Sequence, residues 1–205
     1  MFDVNHINND IWYWENVASY PKELLSFIED LNGEEKAYSK IEPWKPWTAS
    51  DNELLVYGDV KAMNPYNLNQ DSGDEKINQQ TRYIINSFLM AFEMCFDRYF
   101  SGHNLDKSNY SLDFNWLNLK RWNVGQKMGP HYDGYINDGK VVAFTGIFYL
   151  NDDYAGGELY FNDYDKMLKP KAGSMVIFPG SFTHEVKEIK DNKRYMLSIS
   201  AYSSV

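Results

Sequence analysis

Gly129-Pro130-His131-Tyr132-Asp133-Gly134, followed shortly by Val141-Val142-Ala143-Phe144-Thr145-Gly146-Ile147-Phe148-Tyr149-Leu150, is the stretch on which the reading of the fold turns. The second run is rich in β-branched and aromatic residues and ends at the turn Asn151-Asp152-Asp153, so it reads as a strand. On it Thr145, Ile147 and Tyr149 share one face. In the first run, extended backbone would send His131 and Asp133 the same way and Tyr132 the other, so that both can hold one ion. A His-x-Asp pair alone is a weak signal, because it is also met as a surface or hydrogen-bonded pair.

Around this stretch the C-terminal half reads as further strands: 115–122, 157–161, 174–178 and 195–202, with a turn at Pro179-Gly180. The N-terminal half reads differently. Pro21 to Leu31 has a short helical pattern that Ser19 can cap and Gly33 can end. A longer helix is expected over Thr81 to Phe100, where Ile84, Phe88, Ala91, Phe92, Cys95, Phe96 and Tyr99 form a core-facing stripe. Between them, Ile41-Glu42-Pro43-Trp44-Lys45-Pro46-Trp47 cannot be a regular helix; its tryptophans read as packing a loop onto the core rather than as a substrate surface. The polar stretch Asn64 to Gln80 is the candidate mobile loop. The expected fold class is α+β: a double-stranded β-helix (jelly-roll, cupin-like) core with N-terminal helices packed on one sheet. We expect a single domain over residues 1–205, with 1–110 as mainly helical and loop support and 111–205 as the jelly roll.

Composition limits the function classes. Hydrophobic residues make up 43% of the chain and aromatics 17%, enough for a packed core and too many for a disordered chain. With a net charge of −9 and no basic cluster longer than Lys120-Arg121, nucleic acid is not an expected partner. The single Cys95 cannot form an internal disulfide, and its apolar setting reads as an inert buried thiol. The N-terminus lacks the pattern of a signal peptide, and no apolar run is long enough to span a bilayer, so a cytoplasmic protein without a membrane is expected, as a monomer or weak homodimer.

His184 raises the value of the His131–Asp133 pair. It follows the strand ending at Phe178 and the Pro179-Gly180 turn, and it completes a set of two imidazoles and one carboxylate. Such a facial triad suits non-haem Fe(II) and leaves adjacent positions open, although zinc also accepts these ligands. Arg194 comes ten residues later, at the head of a strand where Arg194, Met196, Ser198 and Ser200 share a face. An inward arginine needs an anion, and a guanidinium grips a carboxylate bidentately. The competing reading is an exposed arginine in the charged turn Lys190-Asp191-Asn192-Lys193-Arg194.

These pieces occur in a telling order. Arg121-Trp122-Asn123-Val124-Gly125-Gln126-Lys127-Met128-Gly129-Pro130-His131-Tyr132-Asp133 is followed by Tyr149-Leu150-Asn151, Gly156-Gly157-Glu158-Leu159, Lys169-Pro170-Lys171-Ala172-Gly173-Ser174, His184 and Arg194. Over roughly Leu117 to Tyr202 the chain resembles the prolyl 4-hydroxylase-like branch of the Fe(II)/2-oxoglutarate oxygenases. The resemblance implies iron held by His131, Asp133 and His184. It implies 2-oxoglutarate as cosubstrate, bound by Arg194 and Tyr149, with Thr145, Ser198 and Trp122 as further pocket residues. Trp122 and Met128 stand where the family often has tyrosines; indole donates a hydrogen bond but accepts none, and methionine donates none.

The activity implied is O2-dependent hydroxylation of a C–H bond, with succinate and CO2 as coproducts and ascorbate as a possible reductant. A peptidyl proline is the first expected substrate, ahead of another side chain or a free amino acid. The carboxylate of Asp133 favours hydroxylation over halogenation, since related halogenases lack it. Two other classes explain less. A non-redox, cupin-like metal-binding domain gives no role to Arg194 with Tyr149, and a purely structural domain treats the ordered motifs as coincidence.

Overall fold

In the computed structural model the described residues are 4–18, 44–47, 56–58, 60–64, 75–112, 117–134, 136–137 and 139–204. Short strands β1 (Val4–His6), β2 (Trp12–Trp14), β3 (Lys45–Pro46), β4 (Val56–Tyr57) and β5 (Lys61–Met63) precede helix α1 (Glu75–Gly102). After it come β6 (Tyr110–Leu112), β7 (Asn118–Trp122), β8 (Lys127–His131), β9 (Ile136–Asn137) and β10 (Lys140–Tyr149). The chain continues through β11 (Ala155–Gly156), β12 (Leu159–Phe161), β13 (Lys166–Leu168) and β14 (Met175–Pro179). It closes with β15 (His184–Val186), β16 (Ile189–Asp191) and β17 (Arg194–Ser204).

Among the described residues the strand pairings are antiparallel. The larger sheet runs β1-β2-β14-β10-β17-β7-β5-β3, and the facing sheet runs β13-β12-β15-β8-β4. This is the expected jelly roll. The alternation read from the sequence decides which core each side chain joins. Ile147, Tyr149, Val176, Phe178, Met196 and Trp122 point between the sheets, toward Met128, Leu159, Phe161 and Val186. Phe148, Ile177, Leu197 and Ile199 point the other way, onto the helix.

Helix α1 covers that outer face with Phe88, Phe92, Cys95, Phe96 and Tyr99, the stripe expected from their spacing. Phe88 and Phe92 are fully buried and meet edge to face, with ring centroids 4.5 Å apart. Burial pushes the Cys95 thiol up to about 12, so it stays a protonated packing group. The helix begins at Glu75, earlier than its apolar stripe, and so takes up the end of the stretch expected as a loop. Near its start Arg82 forms an ion pair with Glu75 at 2.6 Å. The rest of that loop candidate, 65–74, and the short helix expected over Pro21 to Leu31 lie outside the described residues.

The N-terminal half also supplies strands that the sequence reading did not anticipate. Trp14 pairs with Met175 and Ala62 with Lys120. In the proline-rich segment, Trp44 is buried against Tyr195, as a packing tryptophan should be. Among the described residues no helix is long and apolar enough to cross a membrane.

Helix and sheet meet closely at Gly146. A Cβ there would lie 2.3 Å from Cε1 of Phe92. Gly146→Ala should therefore displace that ring and cost on the order of 1–3 kcal/mol, read as a fall in Tm by thermal unfolding. An unchanged Tm would contradict this seating of the helix.

Candidate metal and cosubstrate site

The antiparallel pairing of β15 with β8 sets His184 opposite His131, with ring centroids 4.2 Å apart. Asp133 lies just beyond β8, where its N–H donates to the Gly180 carbonyl at 2.8 Å. The turn read at Pro179-Gly180 thus clamps the carboxylate beside both rings. Nε2 of His131 is 3.7 Å from Oδ1 of Asp133, and Nε2 of His184 is 3.7 Å from Oδ2. One ligand atom from each residue falls within 4.8 Å of the others. Tyr132 faces solvent, as the alternation requires.

Backbone carbonyls fix the imidazole tautomers. Nδ1 of His131 donates to the Gly129 carbonyl at 2.9 Å, and Nδ1 of His184 donates to that of Phe182 at 3.0 Å. A carbonyl can only accept, so each neutral ring leaves the Nε2 lone pair free toward Asp133. Thr145 donates its hydroxyl to Oδ2 of Asp133 at 2.6 Å, which orients the carboxylate. Burial pushes the Asp133 carboxyl up, but His184, His131, the Thr145 bond and Lys120 together hold it below the usual carboxylate range. Burial pulls the His131 ring down to about 4, helped by repulsion from His184 and opposed by Asp133. Two neutral imidazoles and one carboxylate suit a divalent metal with open positions, and Fe(II) fits this donor set.

Further along the barrel, Arg194 is fully buried. The exposed-turn reading of this residue is thereby excluded. Nη2 donates to the Tyr149 hydroxyl at 3.4 Å, whereas Nε and Nη1 have no hydrogen-bond partner. Trp122, its register neighbour on β7, buries an indole N–H that also lacks a partner. Tyr154, which the sequence reading missed, buries a hydroxyl in the same condition and is electrostatically coupled to Arg194. Burial raises the Tyr149 and Tyr154 phenols against the pull of Arg194, so both keep their protons and can donate. A buried guanidinium with idle N–H groups is costly alone. A carboxylate arriving among these donors would relieve it.

The Gly156-Gly157 pair shapes this end. Gly157 has φ +66°, and a Cβ on it would lie 2.4 Å from Ile189 and 3.2 Å from Cδ of Arg194. Of the other expected pocket residues, Thr145 stands at the Asp133 carboxylate rather than beside Arg194. Ser198 is half-buried between Ile147 and Asn118 in the sheet register.

The site thus combines two imidazoles and a carboxylate able to hold a metal with a buried arginine whose idle donors suit an anion. Residues 117–201 match the family model of the 2OG-Fe(II) oxygenase superfamily. The chain is 32% identical over 88 residues to a PKHD-type hydroxylase of Rippkaea orientalis, covering 40% of each chain. It is 36% identical over 77 residues to one of Prochlorococcus marinus, covering 36% of this chain and 35% of that one. The chain thus matches about two fifths or less of the length of these relatives. The fold is that of a 2OG-Fe(II) oxygenase-family oxidoreductase from Burkholderia pseudomallei, with TM-score 0.61 at 17% identity over 98% of this chain and 93% of that one. It is also that of a Trichoplax adhaerens prolyl hydroxylase solved with a hypoxia inducible factor peptide fragment, with TM-score 0.63 at 18% identity over 96% and 84%.

The low His131 pKa has a measurable consequence in the metal-free protein. The unfolded chain takes up this proton near the ordinary 6.5, the folded one only near 4. Between those values the unfolded state binds more protons, so stability falls as pH drops through the window. His131→Gln should flatten that part of the Tm–pH profile; parallel profiles for variant and wild type would contradict the assignment.

Proposed function

We propose that this protein is an Fe(II)- and 2-oxoglutarate-dependent dioxygenase that hydroxylates a C–H bond, with succinate and CO2 as coproducts. The observation that carries this reading is the buried Arg194, with its idle N–H groups in the same barrel as the His131, Asp133 and His184 triad. His131, Asp133 and His184 would hold the iron, which with 2-oxoglutarate and O2 supplies the oxidising power for the C–H bond.

The chain's own residues supply orientation and shelter. Arg194 and the Tyr149 hydroxyl take the distal carboxylate, with Trp122 and Tyr154 offering further donors and Ser198 bordering the same inner face. Thr145 holds Asp133 in place and keeps its second oxygen engaged. The apolar layer of Ile147, Val176, Phe178 and Phe161 limits water around the reacting atoms. The chain works as a single oxygenase domain, with residues 1–110 supporting the jelly roll of 111–205.

A peptidyl proline is the first substrate to test, because the fold neighbours include proteins named prolyl hydroxylases. Another amino-acid side chain or a free amino acid fits the same scaffold. Ascorbate is the reductant to supply.

Protein mixed anaerobically with Fe(II) and 2-oxoglutarate, then exposed to air, should release succinate even without a second substrate. Asp133→Ala should abolish that release. No succinate from the wild-type protein would overturn the oxygenase reading.

A further inference from the structure

Lys120 is a second cation facing the barrel, and apart from its field on Asp133 the triad and the Arg194 clamp give it no task. On β7 the side chains alternate: Leu119 joins the outer core beneath the helix, while Trp122 joins the inner one. Lys120 lies on the inner side, opposite Met196 in the register. Its Nζ stands 3.8 Å above the Trp47 ring, which packs 6.2 Å from Trp122 at the edge of the inner core. Lys120 is on the inner face of the sheet, as Arg194 is, and near enough to act electrostatically on both Asp133 and Arg194. Among the described residues no carboxylate lies within ion-pair distance of it.

The charges around these groups do not balance without a further anion. A divalent metal and the side chains of Arg194 and Lys120 stand on the positive side. Asp133 and the two carboxylates of 2-oxoglutarate stand on the negative side. One positive charge remains, and in a partly desolvated cavity an uncompensated ammonium is unfavourable. Arg194 already has the cosubstrate's distal carboxylate, which leaves Lys120 as the unmatched group. The mid-chain proline of a peptide offers it only neutral amides.

We propose that Lys120, braced on Trp47, is a specificity-determining residue that binds a carboxylate of the substrate, so the preferred substrate is an organic acid. This rests on the oxygenase reading for the word substrate; the carboxylate site itself can be tested apart from turnover. The carboxylate can be the free α-carboxylate of an amino or imino acid or the side chain of an acidic residue. Either would fix the molecule at one end while its C–H bond faces the metal.

The test uses the full chain loaded with Zn(II) and saturated with 2-oxoglutarate, observed through the indole N–H signal of Trp47 by NMR. Acetate should move that signal saturably and acetamide should not. Lys120→Met should abolish the response, and Lys120→Arg should retain it. N-acetyl-L-proline and N-acetyl-L-aspartic acid α-amide, compared as competitors, then show whether an α-carboxylate or a side-chain carboxylate is preferred. No response to acetate, an equal response to acetamide or an unchanged response in Lys120→Met would overturn the proposal. A fall in 2-oxoglutarate affinity in Lys120→Met of more than about tenfold would also overturn it, because Lys120 would then serve the cosubstrate. Failure of the succinate assay with a normal acetate response would sink the oxygenase reading and leave the carboxylate site standing.

Discussion

Burying a guanidinium with no carboxylate beside it is among the more costly things a small domain can do, and Arg194 is buried so between two sheets of largely apolar residues. The surrounding structure accommodates it in specific ways. Tyr149 takes one N–H, Trp122 and Tyr154 present idle donors beside it, and Gly157 leaves room for its stem. In the proposed function Arg194, the first residue of a long central strand, is half of a site completed by a dicarboxylate. The other half is the triad, whose rings are locked by backbone carbonyls and whose carboxylate is locked by Thr145 and Gly180. Rigid donors at both ends of one barrel define the length and charge of what lies between them.

The parts legible in the sequence are those with strong local periodicity. Alternation along β10 put Thr145 and Tyr149 on one face by their spacing, whereas spacing alone left Arg194 between an inward and an exposed position, and only the fold buries it. The stripe of α1 was readable for the same reason, although its polar first turns were not. β1 and β2 escaped because they are short and depend on partners distant in sequence, as in the pairing of Trp14 with Met175. β8 and β15 carry the triad histidines but lack an apolar run, and only their mutual register brings His131 to His184.

Two site residues went unread for physical reasons. Tyr154 follows a polar turn, where an aromatic residue gives no periodic signal, and only the fold brings it to Arg194. Lys120 was visible merely as half of a basic pair with Arg121. The same alternation that separates Leu119 from Trp122 sends Lys120 inward and stacks Arg121 near Trp44, so the pair never forms a surface patch. A charge inside a barrel looks in sequence like any other charge; its meaning comes from what it faces.

The claim that metal triad and arginine clamp form one site is tested most directly by anaerobic titration of the Fe(II)-loaded protein with 2-oxoglutarate, following the visible charge-transfer absorption of the complex. Wild-type protein should develop the band saturably. Arg194→Met should need roughly 10- to 100-fold more 2-oxoglutarate, the loss expected of about 1.5–3 kcal/mol from a charge-assisted hydrogen-bonded pair, while its affinity for the metal is unchanged. No band in the wild type, or equal 2-oxoglutarate affinity in the variant, would contradict the account.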